Sequence, residues 1–469
     1  MIMEDPGLRR SGPILRKEGV LRAEVFIMNN DDLRNPNETT RRAFLKSTGA
    51  MAAGLALATQ PKARGAVEQL AINGGPKAVT TSEAATAAKW PLYGADEEAA
   101  VLELVRNPNY DPNRKLEEEW QKYMGMPYAR AYCNGTSALT CMFFALNLPP
   151  GSEIMVPSYT FFATITPMRF FGLVPVFVDI NPRTLNFDLE DAKKRLTPNT
   201  RAVLPVHWIG LPADMDLISE WAEEKGLIVL EDAAHAHGAR LKGKLMGTWG
   251  RMSIFSYQMT KPLPMIEGGM GMYYEKEDFE RASSLGHYDM PNIPQDSPYY
   301  KYKGSGFGLK LRMHPMAAAL GLCQMKDLEA RNRAGARQVR RLNDALTQLP
   351  GLYEQSSGRK DVERLHYAWN MLFIDEAEAG MTRDKAVEAL RAEGVRADAL
   401  HYTLQHTLPL YAEEQWWHHK PVIPDLPGSV KANATCIALP YFTSEVPELV
   451  DQYIKAFEKV WAHRKELST

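Results

Sequence analysis

The stretch IFSYQMTKPLPMIEGGMGMYY at residues 254–274, read together with VLEDAAHAHGA at 229–239, decides the fold. Each contains a short apolar run of the kind that is buried on both faces of a sheet, and each run leads to a residue able to do chemistry. Asp232 closes the first run, and Lys261 follows the second, 29 positions later and ahead of the pair Gly268 and Gly269. A carboxylate at the end of an apolar strand emerges where open α/β sheets place their ligands. A lone lysine is usually a solvated surface residue, but Lys261 lies between an apolar strand and Glu267, Gly268 and Gly269, which argues against that role.

Working outward, further β-rich runs alternate with helical stretches: RAYC (130–133), IMVP (154–157), PVFVD (175–179), AVLPV (202–206), LIVLE (227–231), SIFSY (253–257) and GMGMY (269–273). The pattern predicts an α/β large domain, a mostly parallel sheet sandwiched by helices, over 67–330. A long helical region from Pro315 to Leu349 leads into a smaller C-terminal α+β domain over 331–469. In it, His366 to Ile374 reads as a strand, Thr382 caps a helix that Gly394 stops, and Pro447 to Lys465 forms a closing amphipathic helix.

Composition bounds the function. The 469 residues are 45% hydrophobic with a net charge of −2, enough for a large soluble core. Residues 1–66 hold 11 Lys/Arg and 7 Asp/Glu, leaving 44 against 50 in the remainder, which argues against a nucleic-acid or anionic-membrane surface. Cys133, Cys141, Cys323 and Cys436 form no CxxC pair and read as buried thiols. The run WWHH at 416–419 reads as loop packing rather than a metal site, because adjacent histidines seldom point at one ion; no metal is expected.

Residues 1–66 read as an N-terminal extension with an export signal. TTRRAFLK at 39–46 resembles the twin-arginine motif and is followed by a weakly apolar, small-residue run ending at Ala58, too short to span a bilayer. Cleavage after Ala58 or Ala66 is consistent with the sequence, and Met28 is an alternative start. The expectation is export through the twin-arginine machinery, already folded, to a bacterial periplasm.

The chemistry implied by Asp232 and Lys261 is that of pyridoxal 5'-phosphate. An acid that keeps the pyridine nitrogen protonated makes the ring an electron sink, and a lysine forms the Schiff base and then carries a proton between substrate and cofactor carbons. CNGTSAL at 133–139 lies between a strand and an apolar helix, where Gly135 permits a tight turn and Thr136, Ser137 and the first helical amides can bind a phosphate dianion. Ser256 offers one more hydroxyl.

With these motifs, VPSYTFFAT (156–164), VFVDINPRTLN (176–186) and PVHWIGLPADMD (205–216) resemble, in order and spacing, the DegT/DnrJ/StrS-type sugar aminotransferases, which are fold type I pyridoxal phosphate enzymes. The resemblance covers about residues 67–465. It implies that Lys261 is the Schiff-base lysine, that Asp232 partners the pyridine nitrogen, that Phe161 stacks on the ring, and that Gly135, Thr136 and Ser256 hold the phosphate. His235 stands where the family usually has a Gln that contacts the cofactor hydroxyl, with its protonation state open. Lys310, in GLKLRM, stands where an Asn reaches the phosphate across a dimer, so a homodimer is implied. Ile266 replaces a usual glycine. His401 and Tyr402 match a pair that lies toward substrate. LAINGGPKAV (70–79) and the HAHGA variant are similar to the subgroup of scyllo-inosose aminotransferases and aminohydroxybenzoate synthase. The implied activity is amino transfer from glutamate or glutamine to a keto-sugar or ketocyclitol. The alternatives are a non-catalytic sensor or binding protein, and a sugar dehydratase, a branch in which histidine replaces the lysine.

Overall fold

The apolar runs form a seven-stranded sheet in the computed structural model, which describes residues 68–365 and 367–468. Its strands are β1 (Tyr128–Tyr132), β2 (Glu153–Pro157), β3 (Val174–Val178), β4 (Thr200–Val203), β5 (Ile228–Asp232), β6 (Met252–Ser256) and β7 (Gly269–Tyr273). They lie in the order β1-β7-β6-β5-β4-β2-β3. From β6 through β5, β4 and β2 to β3 the pairing is parallel, and β7 runs antiparallel to both β6 and β1. Helices cover both faces of a sheet built this way, which is why β2 and β7 are buried along their whole length. One core cluster on each face includes Trp120, Trp208 and Phe255 on one side and Phe143, Phe177 and Ile254 on the other.

A second sheet has three antiparallel strands, β8 (Leu352–Glu354), β9 (Trp369–Ile374) and β10 (Cys436–Pro440), with β9 in the middle. Residues 65–469 make up one compact unit. The Leu328–Leu346 helix runs through the expected 330/331 boundary, and Leu70, Ala78, Val79 and Ala87 pack into the core of the C-terminal sheet. The expected long helix from Pro315 is two, Pro315–Met325 and Leu328–Leu346, separated at Lys326 and Asp327. Thr382 accepts a hydrogen bond from the Lys385 N–H as the cap of the Arg383–Ala392 helix, and Gly394 follows with φ +94°. The closing helix spans Pro447–Ala462.

Cys141 and Cys436 are buried thiols, whereas Cys133 and Cys323 are half-buried, and all four are free. In the WWHH run Trp417 is buried against Tyr411, His419 meets Glu153 at 3.2 Å, and the two imidazoles stand nearly perpendicular. The twin-arginine motif, the small-residue run and the cleavage positions lie outside the described residues, as does His366. Among the described residues no helix is long and apolar enough to cross a membrane.

Candidate active site at the carboxyl edge of the sheet

Asp232 is the last residue of β5 and is almost fully buried. Its Oδ2 accepts a hydrogen bond from Thr164 Oγ1 at 2.8 Å, and its Oδ1 accepts one from the Ala234 N–H at 3.1 Å. Because the Thr164 hydrogen is committed to the carboxylate, the hydroxyl of Thr160, 2.8 Å away, donates to Thr164. Burial pushes the Asp232 carboxyl up, while these donors and the charge of Lys261 pull against that rise. An anion buried with two donors is left short of a cation.

Lys261 supplies part of that charge. Its backbone is pinned on both sides: its N–H donates to Gln258 O at 2.8 Å, and its carbonyl accepts from Trp90 Nε1 at 3.1 Å. Its Nζ lies 4.6 Å from the Tyr367 ring centroid, a cation–π contact. The Thr260 hydroxyl donates to Gln258 Oε1, so the Tyr367 hydroxyl, 2.8 Å from Thr260 Oγ1, is the donor in that pair and the ring is fixed. The same ring lies 4.5 Å from His235.

His235 is buried, and Nδ1 accepts a hydrogen bond from the Ile209 N–H at 3.3 Å. Ile209 has φ +49°, which turns this amide inward. Burial first, and then the positive charge of Lys261, hold the imidazole well below its usual pKa. With Nδ1 accepting, the proton of the neutral ring lies on Nε2.

At the other end, Gly135 opens the Gly135–Ala145 helix. A Cβ at Gly135 would lie 2.9 Å from Ser256 Cβ and 3.3 Å from its Oγ, so the bare backbone is what allows the turn to approach β6. The first amides of this helix and the Thr136 and Ser256 hydroxyls form the cradle. Ser137 takes part in the helix cap: its N–H and hydroxyl both lie 2.9 Å from Asn134 Oδ1, and its hydroxyl also contacts Cys133 Sγ. Phe161, about half exposed, precedes Thr164 by three residues, and its ring packs 4.4 Å from that of Phe162.

Tyr402 packs 5.2 Å from Tyr159 and 4.7 Å from Trp208, and burial together with Tyr367 and the Asp232 charge pushes its phenol up, so it belongs to the inner wall. His401 diverges from it: it is exposed and makes no hydrogen bond, ion pair or ring contact among the described residues. Lys310 is also exposed, in a segment whose Leu311 carbonyl accepts from Cys133 N at 2.8 Å. Its ammonium has no hydrogen-bond or ion-pair partner among the described residues. Thr164, Tyr367, Tyr159, Trp208 and Trp90 complete the site without having been singled out in the sequence. Thr164 lay inside the quoted run 156–164, three residues past Phe161.

The donor set fits pyridoxal phosphate at both ends: an under-satisfied buried carboxylate for a protonated ring nitrogen, and a glycine cradle with free amides for a phosphate. The sequence profile of the DegT/DnrJ/EryC1/StrS aminotransferase family matches residues 93–458. The chain belongs to this family. It is 31% identical, over 79% of its length and 95% of the relative's, to the spore coat polysaccharide biosynthesis protein SpsC of Bacillus subtilis strain 168. It superposes on the structure of DesI with its TDP-sugar product (TM-score 0.69, 27% identity, 85% of this chain and 97% of that one). A second match is 3-amino-5-hydroxybenzoic acid synthase (TM-score 0.68, 25% identity, 79% and 98%). The protein is a fold type I, pyridoxal phosphate-dependent aminotransferase of the sugar aminotransferase family.

Proposed function

We propose that this aminotransferase moves an amino group from glutamate or glutamine to a keto-sugar or ketocyclitol and acts as a homodimer. The observation that carries the reading is the convergence of buried Asp232, neutral His235 and pinned Lys261 at one sheet edge. When bound, pyridoxal phosphate supplies the electron sink for the charge left as a C–H proton departs. Asp232 would hold the ring nitrogen protonated, His235 would donate from Nε2 to the ring hydroxyl, Gly135, Thr136 and Ser256 would hold the phosphate, and Phe161 would stack on the ring. Lys261 carries the proton through Nζ, and Tyr367 steadies its ammonium form.

The acceptor class is supported by the polysaccharide-biosynthesis name of one relative and the sugar product of another. The homodimer is supported by exposed Phe161, Phe162, Ile266, Phe307 and Leu309, apolar surface that a second copy would cover, and by the unpaired Lys310, which would then reach the partner's phosphate. Export by the twin-arginine route is part of the proposal, resting on residues 39–58; cell fractionation of the native and Arg41→Lys/Arg42→Lys forms tests it, retention of both in the cytoplasm refuting it.

Visible absorption of the protein loaded with pyridoxal phosphate, wild type and Lys261→Ala, tests the chemistry before and after adding glutamate, glutamine or alanine. The expected result is a wild-type band that bleaches with glutamate or glutamine, is absent in the variant, and returns when the right acceptor is added. No band in the wild type would leave a fold kept for binding without catalysis.

A further inference from the structure

Behind the lysine lies a cavity of about 260 Å³ that shares Trp90 and Tyr367 with the site described above but is not lined by Asp232, His235 or Gly135. Thr260 and Pro262, the two chain neighbours of Lys261, line it; Lys261 does not, and its Nζ lies over the ring of Tyr367, which the cavity shares. Aromatic residues from distant parts of the chain make its walls: Trp90, Tyr367, Trp369 and Tyr441. One cation lines it, Arg331, from the Leu328–Leu346 helix.

Arg331 is unusual for a half-buried guanidinium. One Nη donates to Gln324 O at 2.8 Å, but Nε is buried without a hydrogen-bond partner, and no carboxylate forms an ion pair with it among the described residues. Its Cζ lies 5.7 Å from the Trp90 ring. Arginine stays charged, and although Asp327 and Glu97 act on it through space, neither pairs with it directly, so its positive charge faces flat apolar walls without a contacting anion. Several of its other polar groups are already engaged. Asn332 Nδ2 donates to His237 O at 2.8 Å, the Thr260 hydrogen goes to Gln258, and Thr443 Oγ1 donates to Lys89 O at 2.8 Å. A sugar would find too few partners here, and a dicarboxylate would find one cation for two charges.

We propose that this cavity is a second ligand site, adjoining the cofactor site, for a small monocarboxylate with a flat apolar body, whose carboxylate pairs with Arg331. The ligand would touch both neighbours of Lys261 and the indole that holds the Lys261 carbonyl, so its binding reports on the backbone that positions the lysine. The site is independent of which amino donor or acceptor is used.

The test uses the full-length protein with pyridoxal phosphate bound, so that the cofactor site is filled, and follows 4-fluorobenzoate by fluorine NMR with 4-fluorobenzyl alcohol as the uncharged comparator. The expected result is saturable binding of the acid at one site per chain, with the alcohol about tenfold or more weaker, because a charge-assisted pair is lost. Arg331→Met, which keeps the stem and removes the charge, weakens the acid by about the same factor. Ala88→Phe, which narrows the cavity and leaves Arg331 in place, abolishes binding. Equal affinity for acid and alcohol, no saturation, or unchanged binding in Ala88→Phe would each overturn the proposal. Should Arg331→Met not fold, the acid–alcohol pair on wild type and the Ala88→Phe protein decide alone.

Discussion

Glu231 and Asp232 are neighbours on β5, both buried carboxylates, and the protein treats them in opposite ways. Consecutive strand residues face opposite sides of a sheet, so each meets a different environment. Glu231 is saturated: Oε1 accepts from the N–H groups of Trp249 and Gly250 at 2.6 and 2.7 Å, and Oε2 from Gly247 N at 2.7 Å and His207 Nε2 at 3.0 Å. The Ala213 N–H donates to His207 Nδ1, which places the histidine proton on the nitrogen facing Glu231. Asp232 has two donors and a raised pKa. One carboxylate is completed by the chain and ties down a loop. The other is left incomplete, and that missing partner marks the site, since burial and charge are common to both.

Exchanging each carboxylate for its amide should separate the two roles. Asp232→Asn keeps the size and removes the charge that protonates the ring nitrogen, so turnover should fall by about 10²–10³-fold. Its thermal midpoint should hold or rise, because an under-compensated buried anion is gone. Steady-state kinetics beside calorimetry reads both. Glu231→Gln should do the reverse. An amide cannot accept from all four donors, and the lost network costs about 3 kcal/mol of stability with little change in turnover per folded molecule. A Glu231→Gln protein that is stable but inactive would erase the distinction.

The strands were legible because their apolar runs are short and bounded, and the GMGMY run matches β7 residue for residue. Asp232, Lys261, Gly135 and Ser256 were legible because a strand end or a turn fixes where each goes. The remainder depends on approach through space. Thr164 and Tyr367 reach the site from segments 68 residues before Asp232 and 106 after Lys261, and nothing in their local sequence encodes that distance. Ser137 reads as a phosphate ligand because a cap and a phosphate site share residue types, and here the Asn134 side chain engages it in the cap. His401 and Tyr402 were inseparable as a pair, since the direction of each side chain follows from an irregular backbone.

The histidines carry the comparison into pH dependence. His237 and His287, both fully buried, are pushed down to about 3 by desolvation, and His235 lies well below its ordinary value for the same leading reason. These are bases with folded pKa values below the unfolded value of 6.5, so as pH falls below 6.5 the unfolded chain takes up protons that the folded chain refuses. Stability is complete above about 6.5 and is lost toward 3, at about 1.4 kcal/mol per pH unit for each histidine. Urea midpoints from pH 7 to 5 should fall, and His287→Phe should reduce the slope by about one proton. An unchanged slope would mean that His287 is charged in the fold.

The smallest expected effect concerns Ile266, a β-branched residue at φ +66° where the family usually has glycine. That conformation costs an L-residue about 1–2 kcal/mol, and glycine recovers it less about 0.5–1 kcal/mol of added chain entropy. The side chain is more than half exposed in the single chain, so its removal sacrifices little burial. Ile266→Gly should therefore raise the thermal midpoint slightly at low protein concentration. Under the proposed homodimer the same side chain is covered by the second copy, and the gain should shrink or reverse as concentration increases. A gain that is independent of concentration would place Ile266 outside any interface, and would leave its bulk beside Lys261 acting on the site of its own chain alone.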